Sequence, residues 1–267
     1  MEIVILPDPG AVARFGAAVL ADVVWRDPEA VLGLATGSSP LGTYAELAAL
    51  VARGDLDCSR ASGFALDEYV GIPEDHPQSY ASVIRTEVVE PLRMDPERVH
   101  VPDGRAADIP AACAAYEAAI REAGGVDVQI LGIGANGHIG FNEPTSSFAS
   151  RTRIKTLAPR TRADNARFFD DPEDVPTHCL TQGLGTIMDA RRLLLVAQGA
   201  AKADAIAATV EGPVAAIAPG SILQHHPAVT VVVDEAAASR LRLADYYRHV
   251  FDNKPEWQRV AVPPPAS

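Results

Sequence analysis

Strands alternate with helices along the whole chain, and most of the strands are apolar at nearly every position. These two features predict an α/β fold, a Rossmann-like three-layer α/β/α sandwich whose mostly parallel sheet is covered by helices on both faces. A third feature places the ligand. Residues 128–143, VQILGIGANGHIGFNE, read as a buried strand that empties into a glycine-rich turn carrying Asn136, His138 and Glu143. An open α/β sheet binds its ligand at the carboxyl ends of its strands.

Residues 2–6 (EIVIL) are a β-branched run closed by Pro7-Asp8-Pro9-Gly10, a first strand and a turn. The apolar spacing over 11–25 predicts a helix. Residues 31–35 (VLGLA) are a second buried strand. After Thr36-Gly37-Ser38-Ser39-Pro40, residues 41–52 read as a helix with Ser39 as N-cap and Pro40 in its first turn. A short third strand, 64–66, ends in Asp67-Glu68-Tyr69, and 80–92 and 109–123 are helical patterns. Beyond the central strand, 151–157 is extended and 159–169 helical. Residues 192–197 are a strand, 201–210 a helix, 228–234 a final strand and 236–251 a last helix. No internal repeat, linker or charge boundary divides the chain. Residues 1–255 are therefore expected to form one α/β domain, with a disordered Pro-rich tail over 256–267.

The formal net charge of −12 over 267 residues argues against nonspecific attraction to nucleic acid or to an anionic membrane. Cys58, Cys113 and Cys179 lack C-x-x-C spacing and read as reduced thiols of a cytoplasmic protein, neither a disulfide framework nor a zinc site. The first ten residues, MEIVILPDPG, lack the basic start of a signal peptide, and no apolar run reaches the roughly 18 residues of a membrane helix.

Four constellations can carry chemistry. Thr36-Gly37-Ser38-Ser39 joins a strand to a helix, where hydroxyls and free amides suit a phosphate, although an ordinary capped turn has the same composition. Asp67 and Glu68 end a strand near the sheet's carboxyl edge. In extended chain they point opposite ways, so only one can face the site as a general base; a solvated acidic turn is the alternative. In the central turn His138 can move protons near neutral pH, with Glu143 and Asn136 close enough to fix its tautomer. A histidine satisfied by backbone is the alternative there, and no second histidine lies at metal-ligand spacing. Last, Arg151, Arg153, Lys155, Arg160, Arg162 and Arg167 face the single acid Asp164 in their stretch, a local positive surplus suited to an anion; Lys202 can add a point charge. Some of these cations can equally pair with acidic neighbours. The residues themselves reach no further than a small phosphorylated metabolite.

ATGSSPLGTY, FALDEYVG, LGIGANGHIGFNEP and SRTRIKTL, taken in this order and spacing, resemble the glucosamine-6-phosphate deaminase (NagB) family from about residue 31 to 233. The resemblance implies a fold of the NagB/RpiA/CoA-transferase type and a cofactor-free, metal-free reaction in amino-sugar catabolism. D-glucosamine 6-phosphate and water would give D-fructose 6-phosphate and ammonium. It assigns ring opening to His138, support of that imidazole to Glu143 and proton transfer between C2 and C1 to Asp67. Phosphate binding falls to Thr36, Gly37, Ser38, Arg167 and Lys202. Asn136 stands where the family's well-known form has aspartate, so it can fix a tautomer but brings no charge. The resemblance further implies a homo-oligomer, a hexamer in allosteric relatives, and N-acetylglucosamine 6-phosphate as activator at Ser146, Arg153, Lys155 and Thr156. The tyrosine expected from the C-terminal helix aligns poorly, with Tyr246 and Tyr247 close and Arg248 nearest. Two competing readings are 6-phosphogluconolactonase, which shares the fold but does not call for LDEYVG or GFNEP, and a sugar-phosphate-sensing effector domain, which wants a basic DNA-binding helix absent here.

Overall fold

The computed structural model describes residues 1–169 and 171–260. Its strands are β1 (Glu2–Leu6), β2 (Val31–Leu34), β3 (Ser62–Ala65), β4 (Asp67–Tyr69), β5 (Val99–His100), β6 (Val128–Leu131), β7 (Arg153–Thr156), β8 (His178–Thr181), β9 (Arg192–Ala197) and β10 (Val229–Asp234). Seven of them form one parallel sheet in the order β1-β10-β9-β6-β2-β3-β5. The central strands β2 and β6 are buried at every residue, as strands covered on both faces must be.

This strand order fixes where a ligand can enter. From β2 the chain moves outward through β3 to β5, then returns to place β6 on the other side of β2 and moves outward again through β9 and β10. The order reverses between β2 and β6, and the connections leaving these neighbours diverge. A crevice is left at their carboxyl ends.

Several boundaries differ from expectation for local reasons. Helix α1 (Pro9–Arg26) begins inside the predicted turn, because Asp8 accepts from Ala11 N (2.8 Å) as N-cap and Pro9 fits the first helical position. Helix α2 (Ser38–Arg53) starts at Ser38, not after Ser39. Its N-cap is Gly37 at φ 100°, with no side-chain capping bond. That positive-φ conformation suits glycine, and it puts the start of α2 just past the carboxyl end of β2. The 80–92 pattern is helical but widens into a π-turn at Arg85–Val89, where Glu90 N bonds Arg85 O. Pro91 follows directly, and the wider turn accommodates its ring. The expected last helix is two, Glu235–Ala238 and Ala244–Asp252, because Glu211 accepts from the amides of Arg242 and Leu243 (both 2.9 Å) between them. Of the expected tail, Glu256–Gln258 forms a 3-10 turn and Val260 packs against the core, while 261–267 lie outside the described residues.

The sequence reading contained no second sheet. β4, β8 and β7 form a three-stranded antiparallel sheet that springs from the edge of the main one. Leu66 is the junction. Its amide still bonds Leu34 O of β2 (2.9 Å), but its carbonyl accepts from Gln182 N (2.7 Å), just past β8. The next residue, Asp67, pairs with Thr181 in the new sheet.

Candidate active site

Asp67 therefore hangs from the carboxyl edge of the parallel sheet as the first residue of β4. Residues directly opposite on neighbouring strands share a face. Asp67, Thr181 and Arg153 are in register, so this face carries Asp67 on β4, Thr181 on β8 and Arg153 with Lys155 on β7. Thr181 Oγ1 accepts from Phe141 N (3.0 Å), which seats the 132–143 turn on that face. A methyl group placed on Gly140 would lie 3.5 Å from Asp67 Oδ2, so the carboxylate lies beside the turn that holds His138. Asp67 is 5% exposed. Burial, and after it the charge of Glu68, push its carboxyl up to about 8.

The histidine turn is closed by its own backbone. Gly134 N bonds His138 O (2.9 Å) and Gly137 N bonds Gly134 O (2.9 Å). The imidazole lies flat against Gly134, where a methyl group would come within 2.2 Å of Cε1, so only glycine leaves room for the ring. Asn142 Nδ2 anchors the far side by donating to Ile139 O (3.0 Å) and Gln182 O (2.8 Å).

Beside the ring's Nδ1 lies Glu143, 7% exposed. Its Oε2 accepts from Asn136 Nδ2 (2.7 Å) and lies 3.5 Å from His138 Nδ1. This last is an electrostatic contact without hydrogen-bond alignment, since Nδ1 is buried with no hydrogen-bond partner. Thr161 Oγ1 donates to the other carboxylate oxygen. Burial alone would raise the Glu143 carboxyl, but His138, Thr161 and Asn136 together hold it down at about 2. Asn136 also accepts from His138 N through Oδ1 (3.2 Å). It fixes both the carboxylate and the turn without adding charge.

Beyond the ends of β2 and β9 lie Thr36, Gly37, Ser38 and Lys202. Thr36 is half-buried, and Gly37 and Ser38 are exposed at the start of α2. Tyr44 steadies this turn: its hydroxyl accepts from Ala35 N (3.0 Å) and donates to Ala35 O (3.1 Å). Lys202, at the start of the helix Ala203–Val210, donates to Ile133 O of the histidine turn (2.6 Å). Its ammonium is thus brought to the β2/β6 crevice. Arg167 is exposed on the 3-10 turn Ala166–Phe168. Two other cations of its stretch turn elsewhere. Arg151 pairs with Asp189, and Arg162 donates to Val175 O (2.7 Å).

The expected regulatory residues divide. Ser146 is buried, with an unpartnered hydroxyl, three residues beyond Glu143. Arg153 and Lys155 share the face of Asp67, and Thr156 points to the opposite one. Tyr246 is exposed, Tyr247 donates to Glu211 (3.2 Å), and Arg248 pairs with Glu235 and Asp245. Two site residues were missed from sequence. Thr161 lay hidden in the basic segment, and Tyr80 read only as a helix residue. The Tyr80 hydroxyl meets the Thr36 side chain and donates to Tyr69 OH (3.3 Å). Among the described residues no three His, Cys, Asp or Glu side chains gather as a metal ion would require. No described helix is long and apolar enough to cross a membrane.

Known proteins resemble this chain over most of its length. A family model described as glucosamine-6-phosphate isomerases/6-phosphogluconolactonase matches residues 10–232. The chain is 63% identical over 260 residues to a glucosamine-6-phosphate deaminase of Pseudarthrobacter chlorophenolicus, covering 97% of this chain and 100% of the relative. To that of Streptomyces avermitilis it is 59% identical over 261 residues, with 97% and 100% covered. The solved structure of a monomeric glucosamine-6-phosphate deaminase superposes with a TM-score of 0.88 at 40% identity, over 90% of this chain and 100% of that one. A 6-phosphogluconolactonase from Trypanosoma cruzi superposes at 0.71 with 17% identity, over 90% and 97%, a likeness of fold alone.

Proposed function

The chain belongs to the glucosamine-6-phosphate isomerase/6-phosphogluconolactonase family, and on that premise we propose that it is an enzyme converting D-glucosamine 6-phosphate and water to D-fructose 6-phosphate and ammonium. The observation that carries this reading is the meeting of a buried carboxylate, Asp67, with the histidine turn at the strand-order switch. An aldose–ketose isomerisation needs one base to move a proton between adjacent carbons, and a pyranose substrate needs a second group at its ring oxygen. Relatives at 59–63% identity carry the deaminase name, whereas the lactonase likeness rests on 17%.

The substrate phosphate sits on the first amides of α2, at Gly37 and Ser38, with the Thr36 hydroxyl; Lys202 and Arg167 supply positive charge. His138 moves a proton at the ring oxygen and opens the pyranose. Glu143, held by Thr161 and Asn136, keeps the imidazole in place and stabilises its charged form. In the open aldehyde Asp67 removes the C2 proton and delivers it to C1, leaving an imine at C2. Water adds to that carbon, and the nitrogen departs as ammonia. The C1 aldehyde acidifies the C2 proton and the substrate's own nitrogen forms the imine that water attacks, so no cofactor is required. Asp67 must be ionised to begin, so kcat/KM should rise with pH up to about 8, the range set by its burial. A flat profile between pH 6 and 8 would contradict its role.

The same reading makes this a cytoplasmic enzyme of a small metabolite, with no part for nucleic acid or membrane. Ser146, Arg153, Lys155 and Thr156 are the residues at which N-acetylglucosamine 6-phosphate would activate a homo-oligomer. The monomeric relative means that the fold does not require a hexamer. The test is selectivity: the purified protein should consume glucosamine 6-phosphate and leave 6-phosphogluconolactone at its spontaneous rate of hydrolysis. The reverse pattern would make it a lactonase.

A further inference from the structure

The mechanism uses Asp67 and leaves its neighbour Glu68 without a part. The two are consecutive on β4 and face opposite ways. Asp67 meets the histidine turn, and Glu68 lines a cavity of about 300 Å³ on the other side, walled by Ile72, Ile84 and Val99. Glu68 is buried, yet its carboxylate is fully engaged. Oε1 accepts from Tyr69 N (2.7 Å) and Tyr80 N (2.9 Å), and Oε2 from Ala81 N (2.8 Å). Burial pushes the Glu68 carboxyl above its ordinary value, and the three amides converging on it pull the other way, towards the ionised form.

Those amides belong to two elements, so Glu68 locks β4 to the start of the helix Tyr80–Ile84. From there Tyr80 reaches the rest of the site. Its hydroxyl meets the Thr36 side chain in the phosphate turn, and its ring stacks on Phe141 in the histidine turn, centroids 5.9 Å apart and planes at 13°. Glu68 is one hydrogen bond from the residue that joins both turns and one peptide bond from the proton-transfer carboxylate.

We propose that Glu68 is a positioning residue for this reaction: a fixed anion behind β4 that holds Asp67 and Tyr80 in register and places a like charge beside the base. The proposal rests on the reading of Asp67 as that base. Several titratable or charged groups share the surroundings of Asp67. They are Tyr69 on its own strand, Tyr80, Tyr116 on the helix Ile109–Glu122, Cys179 on β8, Arg153 and Lys155 on β7, and His138 and Glu143 in the turn. On the cavity side Glu68 faces Glu74, Asp103, Arg85 and Arg105, all exposed. Among these groups Glu68 is the anion adjoining Asp67, and its charge adds to burial in pushing the Asp67 carboxyl up.

E68Q removes the charge and keeps most of the shape. The rising limb of kcat/KM should move down by about one pH unit, with KM changed less than about threefold. A carbon-13 NMR titration of the Asp67 carboxyl without substrate should show the same downward shift. That titration stands even if the wild type proves inactive on glucosamine 6-phosphate, so failure of the functional reading and failure of this proposal are distinguishable. Identical limbs and titrations in wild type and E68Q, or a uniform loss of rate at every pH, would overturn it. E68D serves if E68Q fails to fold. It keeps the charge but falls short of the amides, so the limb should stay in place while kcat drops about tenfold. A moved limb with unchanged kcat would equally overturn the proposal.

Discussion

Replacing Asp67 by asparagine should lower kcat for glucosamine 6-phosphate by about 10²–10⁴-fold, the usual share of a general base, with little change in substrate binding. The same change should make the protein more stable in alkali. The folded carboxyl titrates near 8 against its ordinary 3.8. Whatever stability it contributes is fully present below 3.8 and is lost as pH rises through 8, because the buried anion is disfavoured. Asparagine carries no such liability. Urea unfolding at pH 6 and pH 9 should show Asp67→Asn gaining on the wild type as pH rises, by at least about 1 kcal/mol at the upper end. A variant that loses activity and stability together at both pH values would instead mark Asp67 as structural. The crevice keeps a carboxyl whose burial costs stability, as proton-transfer sites often do.

Glu143→Gln should act with the opposite sign. This carboxyl is held at about 2 against its ordinary 4.5. Its contribution is therefore present above pH 4.5 and lost as pH falls through 2, and amounts to roughly 3 kcal/mol. In the wild type, stability should fall over that window; in the glutamine variant the fall should be shallower, since Glu117 and Glu211 are also held below their ordinary values, and should start from a lower value at pH 7. Activity should drop about 10²-fold, because a neutral amide beside the ring cannot stabilise a protonated imidazole. Denaturant midpoints at pH 7, 4.5 and 2.5 measure the first effect and initial rates at pH 7 the second. Equal falls in midpoint between pH 4.5 and 2.5 in wild type and variant would contradict the ion-pair account.

Much of this was legible in the sequence because it is local. The buried runs VLGL and VQIL announced the central strands, and the polar residues just past them announced the site, since chain leaving a parallel sheet at its carboxyl edge must expose its backbone there. The side of the site that comes from afar was not legible. β4 is the triplet Asp67-Glu68-Tyr69, a sequence with the look of a solvated turn, and it is a strand because His178–Thr181 pairs with it from more than 100 residues away. β8 was missed for the same reason. The partners of Glu143 show the contrast within one residue. Asn136, seven positions back, could be guessed, whereas Thr161 comes from the basic helix Pro159–Asn165 and carried no signal of its own. The basic stretch itself read as one anion site because composition records charge and not direction; Arg151 and Arg162 spend theirs on Asp189 and Val175.

The central claim is that Asp67 and the histidine turn form one site for moving a proton along an amino-sugar phosphate and releasing its nitrogen. The most direct test incubates wild type and Asp67→Asn side by side with glucosamine 6-phosphate and measures ammonium and fructose 6-phosphate in each. The account predicts the two products in equal amounts from the wild type and almost none from the variant. Ammonium without fructose 6-phosphate, no product from the wild type, or full activity in the variant would contradict it.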